Sequence, residues 1–464
     1  MKKKELYCYA ALCFTLSFLL APELCSGGNI QDMKILATID ITTPRHESFP
    51  NISYNPKDKE FMVLWHTGGP MRAGCVNPFD QECTATWHSI DGRRISLDGK
   101  LLGDAIQLSP PEVVGWKDLP KSAYNVMTNE YMVVFQMSRT QSFWAQDIFI
   151  AKIDNHGNIL QPFNTAGRYA TANHPLIFFN RTEKEYLVAY NDKHAFLKRS
   201  DNLGFILDED GNKLNQRPFV IGKTAGVQTN SQAVYNVRDN TYFVVWEDFR
   251  HVQTIIDSCD LYGALLDARG NMIREFPVID DFGTPDEGSQ NNQNLAYNPD
   301  QNEYLVAWGA TNQPSLEEWG GVVGRIFKRD GTPKGELFVV ADAVKPQNSP
   351  QMVYVQTQKK YFIVWSDYRK DTALETGMAF FNADNVDVYG RWLNPDGTPA
   401  SDEIPLCTDE GKQVWPTLAA SPNRLLIMWS DYNAPDDLQE NAAGGIMVFD
   451  FKSNIRGVIY GTPE

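Results

Sequence analysis

Residues 235–250 read YNVRDNTYFVVWEDFR and contain the most regular unit of this chain. They predict a short strand that ends at Tyr235-Asn236, a polar turn, and then an apolar strand that ends at Trp246. Versions of the same stretch recur from one end of the chain to the other, so the chain is built from repeats.

Seven versions can be recognised, of which the last, at 420–429, is degenerate. Their apolar strands end at Trp65, Phe135, Tyr190, Trp246, Trp308, Trp365 and Trp429. The spacing of 55 to 70 residues is long for a solenoid repeat and close to one four-stranded propeller blade with long loops.

A second marker, a glycine that directly or shortly follows Asp, lies between successive versions. The first example is Asp91-Gly92, and the others end at Gly157, Gly211, Gly270, Gly331 and Gly397. Such a glycine accepts the positive φ of a tight hairpin, so each marks a third strand turning into a fourth. The chain therefore predicts an all-β, seven-bladed β-propeller with four strands per blade.

The two ends of the chain complement each other. Residues 33–40 look like a fourth strand with no blade before it, whereas the seventh repeat ends in a weak tail around 458–460. We therefore expect the N-terminal strand to complete the last blade and close the ring. Since single blades have no stable core, residues 28–464 are expected to form one propeller domain.

Composition agrees with this architecture. Aromatic residues make up 12% of the 464 residues, 26 are proline, and no segment has a long amphipathic helical period, so helix should be scarce. The net charge of −16 would repel a phosphate backbone, and no Lys/Arg stripe offsets it. We expect no nucleic-acid partner.

Residues 1–27 predict an export signal, because three lysines precede an apolar run that ends at Leu20. The run is too short for a membrane span. In an oxidising compartment, Cys75 and Cys83, eight residues apart, predict a disulfide. For Cys259 and Cys407 two states stay open, a disulfide across blades or separate thiols.

The large insertions all follow the second strand of a repeat, and they should open on one face of the disc together with the loops after the fourth strands. They span 66–89, 138–146, 247–260, 311–320, 368–387 and 432–443. Long loops on a rigid scaffold are where binding tends to reside, so we expect the functional face here.

A Trp-x-Asp-x-Arg motif at the end of the second strand has two interpretations. It occurs as Trp246 to Arg250 and as Trp365 to Arg369. Aspartates and arginines from neighbouring blades could bind a sugar or pair as the carboxylates of a glycosidase do. Alternatively, each Asp caps the turn that leaves its strand, and repetition in several blades favours this structural interpretation.

The sequence predicts no metal site and no haem in this chain. Its seven histidines are scattered singly, although His66, His88 and His251 lie on the expected functional face and could approach one another. Residues 208–212 resemble part of a calcium loop but lack the later Glu, which favours a hairpin turn. There is no Cys-x-x-Cys-His haem motif and no Gly-x-Ser-x-Gly elbow.

The insertion of the fourth repeat, 247–260, differs from the others because it combines four acids, an apolar centre at 252–256 and a cysteine. It could reach beyond the disc into a partner or fold over its own blade. The residues expected to form a partner or tunnel loop are Glu247, Asp248, Phe249, Arg250, His251, Val252, Ile255, Ile256, Asp257 and Asp260.

The rhythm of Tyr-Asn, an apolar strand ending in Trp, and Asp-Gly resembles exported bacterial seven-bladed propellers over nearly the whole mature chain. Within that group the chain is most similar to the β subunits of hydrazine synthase from anammox bacteria. The export signal, a lone seven-bladed domain without haem motifs, and the 247–260 insertion carry this resemblance. The fold itself says little about activity, because one fold hosts many functions.

The resemblance implies a non-catalytic subunit beside haem-bearing α and γ subunits, which reduce nitric oxide and condense the product with ammonium to hydrazine. No cofactor is then expected in this chain, whereas c-type haem is expected in its partners. The resemblance further implies that the 247–260 insertion extends toward the tunnel between the two active sites, and that the protein resides in the anammoxosome. Otherwise an exported protein is periplasmic or extracellular.

Two other functions stay open. The first is a secreted glycan-binding or glycan-cleaving propeller that uses Asp248, Arg250, Asp367 and Arg369 with aromatic residues of the long-loop face. It predicts sugar binding by the isolated chain. The second is a surface-adhesion propeller, which would bind a protein partner in an assembly without a cofactor.

Overall fold

The chain folds into seven four-stranded antiparallel sheets, the blades of a propeller. The structure is a computed structural model that describes residues 30–42, 46–68, 88–109, 117–138, 146–161, 164–167, 172–194, 199–222, 226–251, 259–280, 288–310, 320–372, 383–432 and 453–463. Among these residues the only helix is a 3₁₀ turn at Ile30–Asp32, so the expected scarcity of helix is confirmed. None of the described helical segments has the length and apolar character needed to cross a membrane.

Each blade runs from an inner strand to an outer strand in chain order, with blade 7 as the exception. Blades 1 and 2 are β2 (His46–Asn55), β3 (Glu60–Gly68), β4 (His88–Ser96), β5 (Leu101–Gln107), and β6 (Lys117–Asn125), β7 (Glu130–Ser138), β8 (Gln146–Asp154), β9 (Asn164–Gly167). Blades 3 and 4 are β10 (Ala172–Asn180), β11 (Glu185–His194), β12 (Arg199–Leu207), β13 (Phe219–Gly222), and β14 (Gln228–Asn236), β15 (Thr241–Asp248), β16 (Asp260–Asp267), β17 (Met272–Ile279).

The remaining blades follow the same order. Blades 5 and 6 are β18 (Gln290–Asn298), β19 (Glu303–Ala310), β20 (Gly321–Lys328), β21 (Pro333–Ala341), and β22 (Gln347–Val355), β23 (Lys360–Asp367), β24 (Asp387–Leu393), β25 (Ile404–Cys407). Blade 7 is β26 (Lys412–Ala420), β27 (Arg424–Tyr432), β28 (Asn454–Gly461) and β1 (Lys34–Ile41).

The N-terminal strand closes the ring, as the sequence predicts. β1 is the outer strand of blade 7 and pairs antiparallel with β28, from Lys34 opposite Gly461 to Ile41 opposite Ile455. The last blade is therefore built from both ends of the chain. Because β1 leads directly into blade 1, it also ties the first blade to the last.

The hydrophobic core lies between the blades rather than within them. Each of seven apolar clusters joins side chains of two neighbouring blades. The cluster between blades 4 and 5, for example, combines Phe243 and Val245 with Tyr304 and Trp308, all fully buried. A single blade would expose both of its apolar faces, which explains why the repeats need a ring.

Every inner strand contains a bulge near its first residues, where a non-glycine residue adopts positive φ. The seven residues are Phe49, Leu119, His174, Asn230, Asn292, Ser349 and Trp415, with φ between 51° and 56°. At each of them the pairing with the second strand shifts, as between Thr229 and Gln232. Bulges bend a strand and turn backbone groups out of the ladder, so these N–H groups need acceptors elsewhere.

The Tyr-Asn signature serves the turn that follows the inner strand and also the contact with the next blade. Asn236 accepts the backbone N–H groups of Arg238 and Asp239, both at 3.0 Å, through its side-chain oxygen. Its amide nitrogen donates to Asn302 Oδ1 of blade 5 at 2.9 Å. The same cap recurs at Asn55, Asn125, Asn180 and Asn298.

Five of the six expected Asp-Gly turns are confirmed as hairpins between the third and fourth strands, including 208–211. Asp267 shows the pattern, accepting the N–H groups of Arg269 at 2.9 Å and Asn271 at 2.8 Å. The expectation for Asp91-Gly92 is wrong, because Gly92 lies within β4 and pairs with Leu64. The hairpin of blade 1 turns at Gly99 instead, with φ of 84°.

The hairpin glycines are needed for space as well as for conformation. Gly331 of blade 5 has φ of 78°, and a Cβ added there would lie 2.4 Å from the Phe276 ring of blade 4. Gly335 has nearly the same backbone, with φ of 81°, but nothing lies within 4 Å of the position of its Cβ. Alanine substitutions at the two glycines therefore distinguish the cost of backbone strain, common to both, from the cost of disturbed packing between blades, which applies only to Gly331.

We predict that Gly335→Ala lowers the free energy of unfolding by about 1–2 kcal/mol, the cost of a left-handed alanine. Gly331→Ala should lose a further ~1–3 kcal/mol, because its methyl group overpacks the contact between blades 4 and 5. Equilibrium denaturation measures both variants. Equal losses would show that the Phe276 contact does not constrain the ring.

Candidate functional site

The second strands end, and the inner strands begin, on the same face of the propeller, which we call the loop face. In blade 4, Asp248 at the end of β15 pairs with Gln228 at the start of β14. The fourth strand also ends here, since Ile279 of β17 pairs with Leu261 near the start of β16. The loops after the second and the fourth strand of blade 4 therefore begin on the same face, as expected. Most residues of the large insertions lie outside the described residues.

The Trp-x-Asp-x-Arg motif of blade 4 forms a clamp within its own blade. Trp246 Nε1 donates to Asp248 Oδ2 at 2.8 Å, and Arg250 donates to both oxygens of the same carboxylate at 2.9 and 2.7 Å. The guanidinium also donates to Glu275 at 2.8 Å and stacks 3.5 Å above the Tyr262 ring. Asp248 therefore caps the turn and anchors the base of the insertion.

Blade 6 repeats this clamp contact for contact. Trp365 Nε1 donates to Asp367 at 2.9 Å, Arg369 donates to the same carboxylate at 2.8 and 2.6 Å, and Glu403 accepts from Arg369 at 2.6 Å. Arg369 stacks on Tyr389 at 4.1 Å. Both aspartate side chains have no exposed surface, and each is neutralised by the arginine of its own blade.

Glu247, next to the clamp, connects blade 4 to blade 5. Its Oε1 accepts a hydrogen bond from Asn230 Nδ2 at 2.8 Å and another from the backbone N–H of Asn292 at 2.9 Å. Asn292 is the positive-φ residue of the blade 5 bulge. Burial raises the pKa of Glu247 to about 7, although these two hydrogen bonds oppose the shift. The carboxyl group titrates near neutral pH while holding a blade contact.

In two other blades a different side chain accepts the bulge N–H of the neighbouring blade, and we call this contact between blades a lock. Gln136 follows Phe135 as Glu247 follows Trp246, and its Oε1 accepts the bulge N–H of His174 in blade 3 at 2.8 Å. Ser430 Oγ accepts the bulge N–H of Phe49 at 3.1 Å. In blades 2, 4 and 7 the residue after the aromatic end of the second strand is thus a blade connector, and Glu247 is its charged version.

Blade 4 also brings together three residues with metal-ligating atoms. His251 follows the clamp, Asp260 begins β16, and Asp280 follows β17, and one ligand atom of each lies within 4.8 Å of the others. Tyr262 donates a short hydrogen bond to Asp280 and lies 3.5 Å from His251 Nε2. Sequence reasoning missed Asp280, because only the register of β16 with β17 places it beside the insertion.

Two of the singly spaced histidines do meet. His66 Nε2 lies 2.8 Å from His88 Nδ1, and the rings stack with centroids 5.1 Å apart. Ser48 Oγ lies 3.1 Å from His66 Nδ1 on the other side of the pair. Lys117 of blade 2 donates to the carbonyl of His88 at 2.8 Å, and burial lowers its pKa to about 8. This cluster joins blades 1 and 2.

Some of the remaining residues that the sequence singled out lie within the described part of the chain, and others lie outside it. Phe249 is buried, and its N–H donates to Val227 O at 2.9 Å. Cys259 and Cys407 are buried thiols in different blades, and the Cys259 thiol donates to Gln290 O at 2.9 Å. Outside the described residues lie Val252, Ile255, Ile256, Asp257 and both members of the expected disulfide, Cys75 and Cys83.

The fold and the connector residues define the class of this protein as a seven-bladed β-propeller whose blades are joined at the loop face. No family model and no curated protein matches the sequence. Among solved structures, a protein of unknown function from Dyadobacter fermentans is similar at a TM-score of 0.52 with 11% identity, over 94% of this chain and 100% of that one.

Two enzymes are also among the similar structures. The phage phi92 endosialidase matches at a TM-score of 0.51 with 9% identity, over 93% of this chain and 70% of that one. An α-L-arabinanase from Penicillium chrysogenum matches at 0.45 with 10% identity, over 92% and 99%. At these identities the two matches with a TM-score above 0.5 support the fold alone.

We predict that Glu247→Gln removes a pH dependence from the stability. The folded pKa of about 7 lies above the ordinary value of 4.5, so between these pH values the native state holds a proton that the unfolded state has lost. The free energy of unfolding of the wild type should therefore fall by about 3 kcal/mol as pH rises from 4.5 through 7. Denaturation at several pH values should show no such fall in the variant.

The reciprocal change in blade 2 is the matched control. Gln136→Glu places a buried carboxyl in the same lock, so it should add a loss of stability over the same pH range. If the slopes of wild type and both variants agree, the connector residue does not titrate with folding.

Proposed function

We propose that this chain is a non-catalytic propeller subunit of an exported, multi-subunit redox enzyme, and that its loop face docks the partner subunits. The observation that carries the proposal is the use of three acids that the sequence places beside the long loops, Asp248, Asp367 and Glu247. Asp248 and Asp367 are pinned by arginines within their blades, and Glu247 holds a blade contact. Acid–base hydrolysis needs carboxyl groups that face a substrate, whereas these serve the ring.

The anchoring of the 247–260 insertion supports a docking role. On its first side the clamp holds Arg250, and the Phe249 N–H donates to Val227 O at 2.9 Å. On its second side Cys259 O accepts the N–H of Gln290 at 3.0 Å, and Asp260 pairs with Asp248 in the sheet. The seven residues between these two anchored ends, VQTIIDS, include three apolar residues. Apolar residues at the centre of an interface commonly fill a pocket on the partner.

The particular enzyme we propose is hydrazine synthase, on the sequence resemblance described above. The partners would be the haem-bearing α and γ subunits, with c-type haem in those chains and none in this one. The 247–260 insertion would reach toward the tunnel that connects their active sites. The export signal expected at 1–27 would direct the chain to the anammoxosome.

Purification of the native protein under mild conditions tests this proposal. Visible absorption and mass analysis should find haem-bearing subunits in fixed stoichiometry with this chain, with the Soret and α bands of c-type haem. A colourless chain that purifies alone would contradict the proposal. If such a chain binds sugars on a glycan array, the glycan alternative takes its place.

We predict that Ile255→Ser with Ile256→Ser weakens association with the partner subunits about tenfold or more, since truncating a buried interface side chain costs 1 kcal/mol or more. The thermal midpoint of the isolated chain should not change. Met127→Ser is the control, because Met127 is 48% exposed on the hairpin of blade 2 at the opposite face. Reconstitution followed by surface plasmon resonance would measure all three proteins, and equal affinities would exclude the insertion as the contact.

A further inference from the structure

We propose that His251, Asp260 and Asp280 form a binding site for a divalent transition-metal cation of the Zn²⁺ class at the loop-face rim of blade 4. The inference rests on these side chains and on a comparison of two blades. It does not depend on the function proposed above. It also goes beyond the sequence, in which single histidines indicated no metal site.

The three side chains converge from three different segments. His251 follows β15, Asp260 begins β16 and Asp280 follows β17, and their ligand atoms all lie within 4.8 Å of one another. His251 Nε2 is 3.7 Å from Asp280 Oδ2. Ligand atoms bound at about 2.0–2.1 Å from one tetrahedral ion lie roughly 3.3 Å apart, so small side-chain rotations would complete the site.

Blade 6 offers an internal comparison, because its clamp matches that of blade 4 residue for residue. The equivalent of Asp260 is Asp387, which pairs with Asp367 as Asp260 pairs with Asp248. The equivalent of His251 is Lys370, whose Nζ lies 3.0 Å from Asp387 Oδ2. In blade 6 a fixed ammonium charge therefore neutralises the buried carboxylate.

The two blades differ in the residues beside this carboxylate. Thr408 stands where blade 4 has Asp280, directly after the fourth strand, and Lys370 also approaches its carbonyl oxygen at 3.5 Å. Blade 4 has thus exchanged a lysine for an imidazole and gained a second carboxylate. Two carboxylates this close repel each other, and the nearby Arg250 is already bound to Asp248 and Glu275. A dication held by these three side chains would place positive charge at the position that Lys370 occupies in blade 6.

The donor set selects the kind of metal. Zn²⁺ and related transition metals bind both imidazole nitrogens and carboxylate oxygens, whereas Ca²⁺ prefers six to eight oxygen ligands. The Tyr262 hydroxyl orients the Asp280 carboxylate by its hydrogen bond, and Arg250 stacked on Tyr262 holds the phenol in place. Hydrogen bonds of this kind around ligands stabilise metal sites.

Two variants test the site on the intact chain. Protein freed of metal with a chelator is dialysed against Zn²⁺, and its metal content is measured by mass spectrometry. The wild type should bind one more Zn²⁺ per chain than Asp280→Asn. The double variant His251→Lys with Asp280→Thr copies blade 6, so it should also lack this ion while its thermal midpoint without metal stays near the wild-type value.

Thermal unfolding provides the second readout, because a ligand that binds only the folded state raises the midpoint. Zn²⁺ should raise the thermal midpoint of the wild type through this site, and the same contribution should be missing from the midpoints of both variants. Equal Zn²⁺ content in wild type and variants would overturn the proposal. Displacement of the bound Zn²⁺ by an equal concentration of Ca²⁺ would overturn the choice of a transition metal.

Discussion

The structure depends on one constraint, that the apolar second strand of each blade can be covered only by the blades beside it. Phe243, Val245 and Trp246 of blade 4 are fully buried, but their partners come from blades 3 and 5. A blade alone would leave these side chains in water. Closure by β1 is therefore a condition of stability for all seven blades, and the polar locks at their edges fix the spacing.

The same constraint explains which parts of the fold the sequence can predict. Strand number, ring closure and most hairpins follow from the Tyr-Asn, Trp and Asp-Gly signals, since these residues cap turns and fill the spaces between blades. The hairpin prediction for Asp91-Gly92 is wrong because an Asp-Gly pair has the same local chemistry inside a strand as in a hairpin. Only the pairing of Gly92 with Leu64 shows that this pair lies inside β4. Register is a property of two strands and is not visible in one.

The candidate site was predictable in part for the same reason. Repetition of Trp-x-Asp-x-Arg indicates a role in every blade that carries it, and the clamps in blades 4 and 6 have that role. Asp280 had no signal of its own, because it joins His251 and Asp260 only through the register of three strands. Departures from the repeat, such as His251 in blade 4 where blade 6 has Lys370, therefore mark the positions that a shared role of the repeat does not explain.

Hydrogen–deuterium exchange would test most directly whether the loop face of blade 4 is the contact with partner subunits. Exchange of the native assembly would be compared with that of the isolated chain. We predict strong protection of 247–260 in the assembly and unchanged exchange at the opposite-face hairpins, such as 125–130. Protection confined to those hairpins, or no difference at 247–260, would contradict the account.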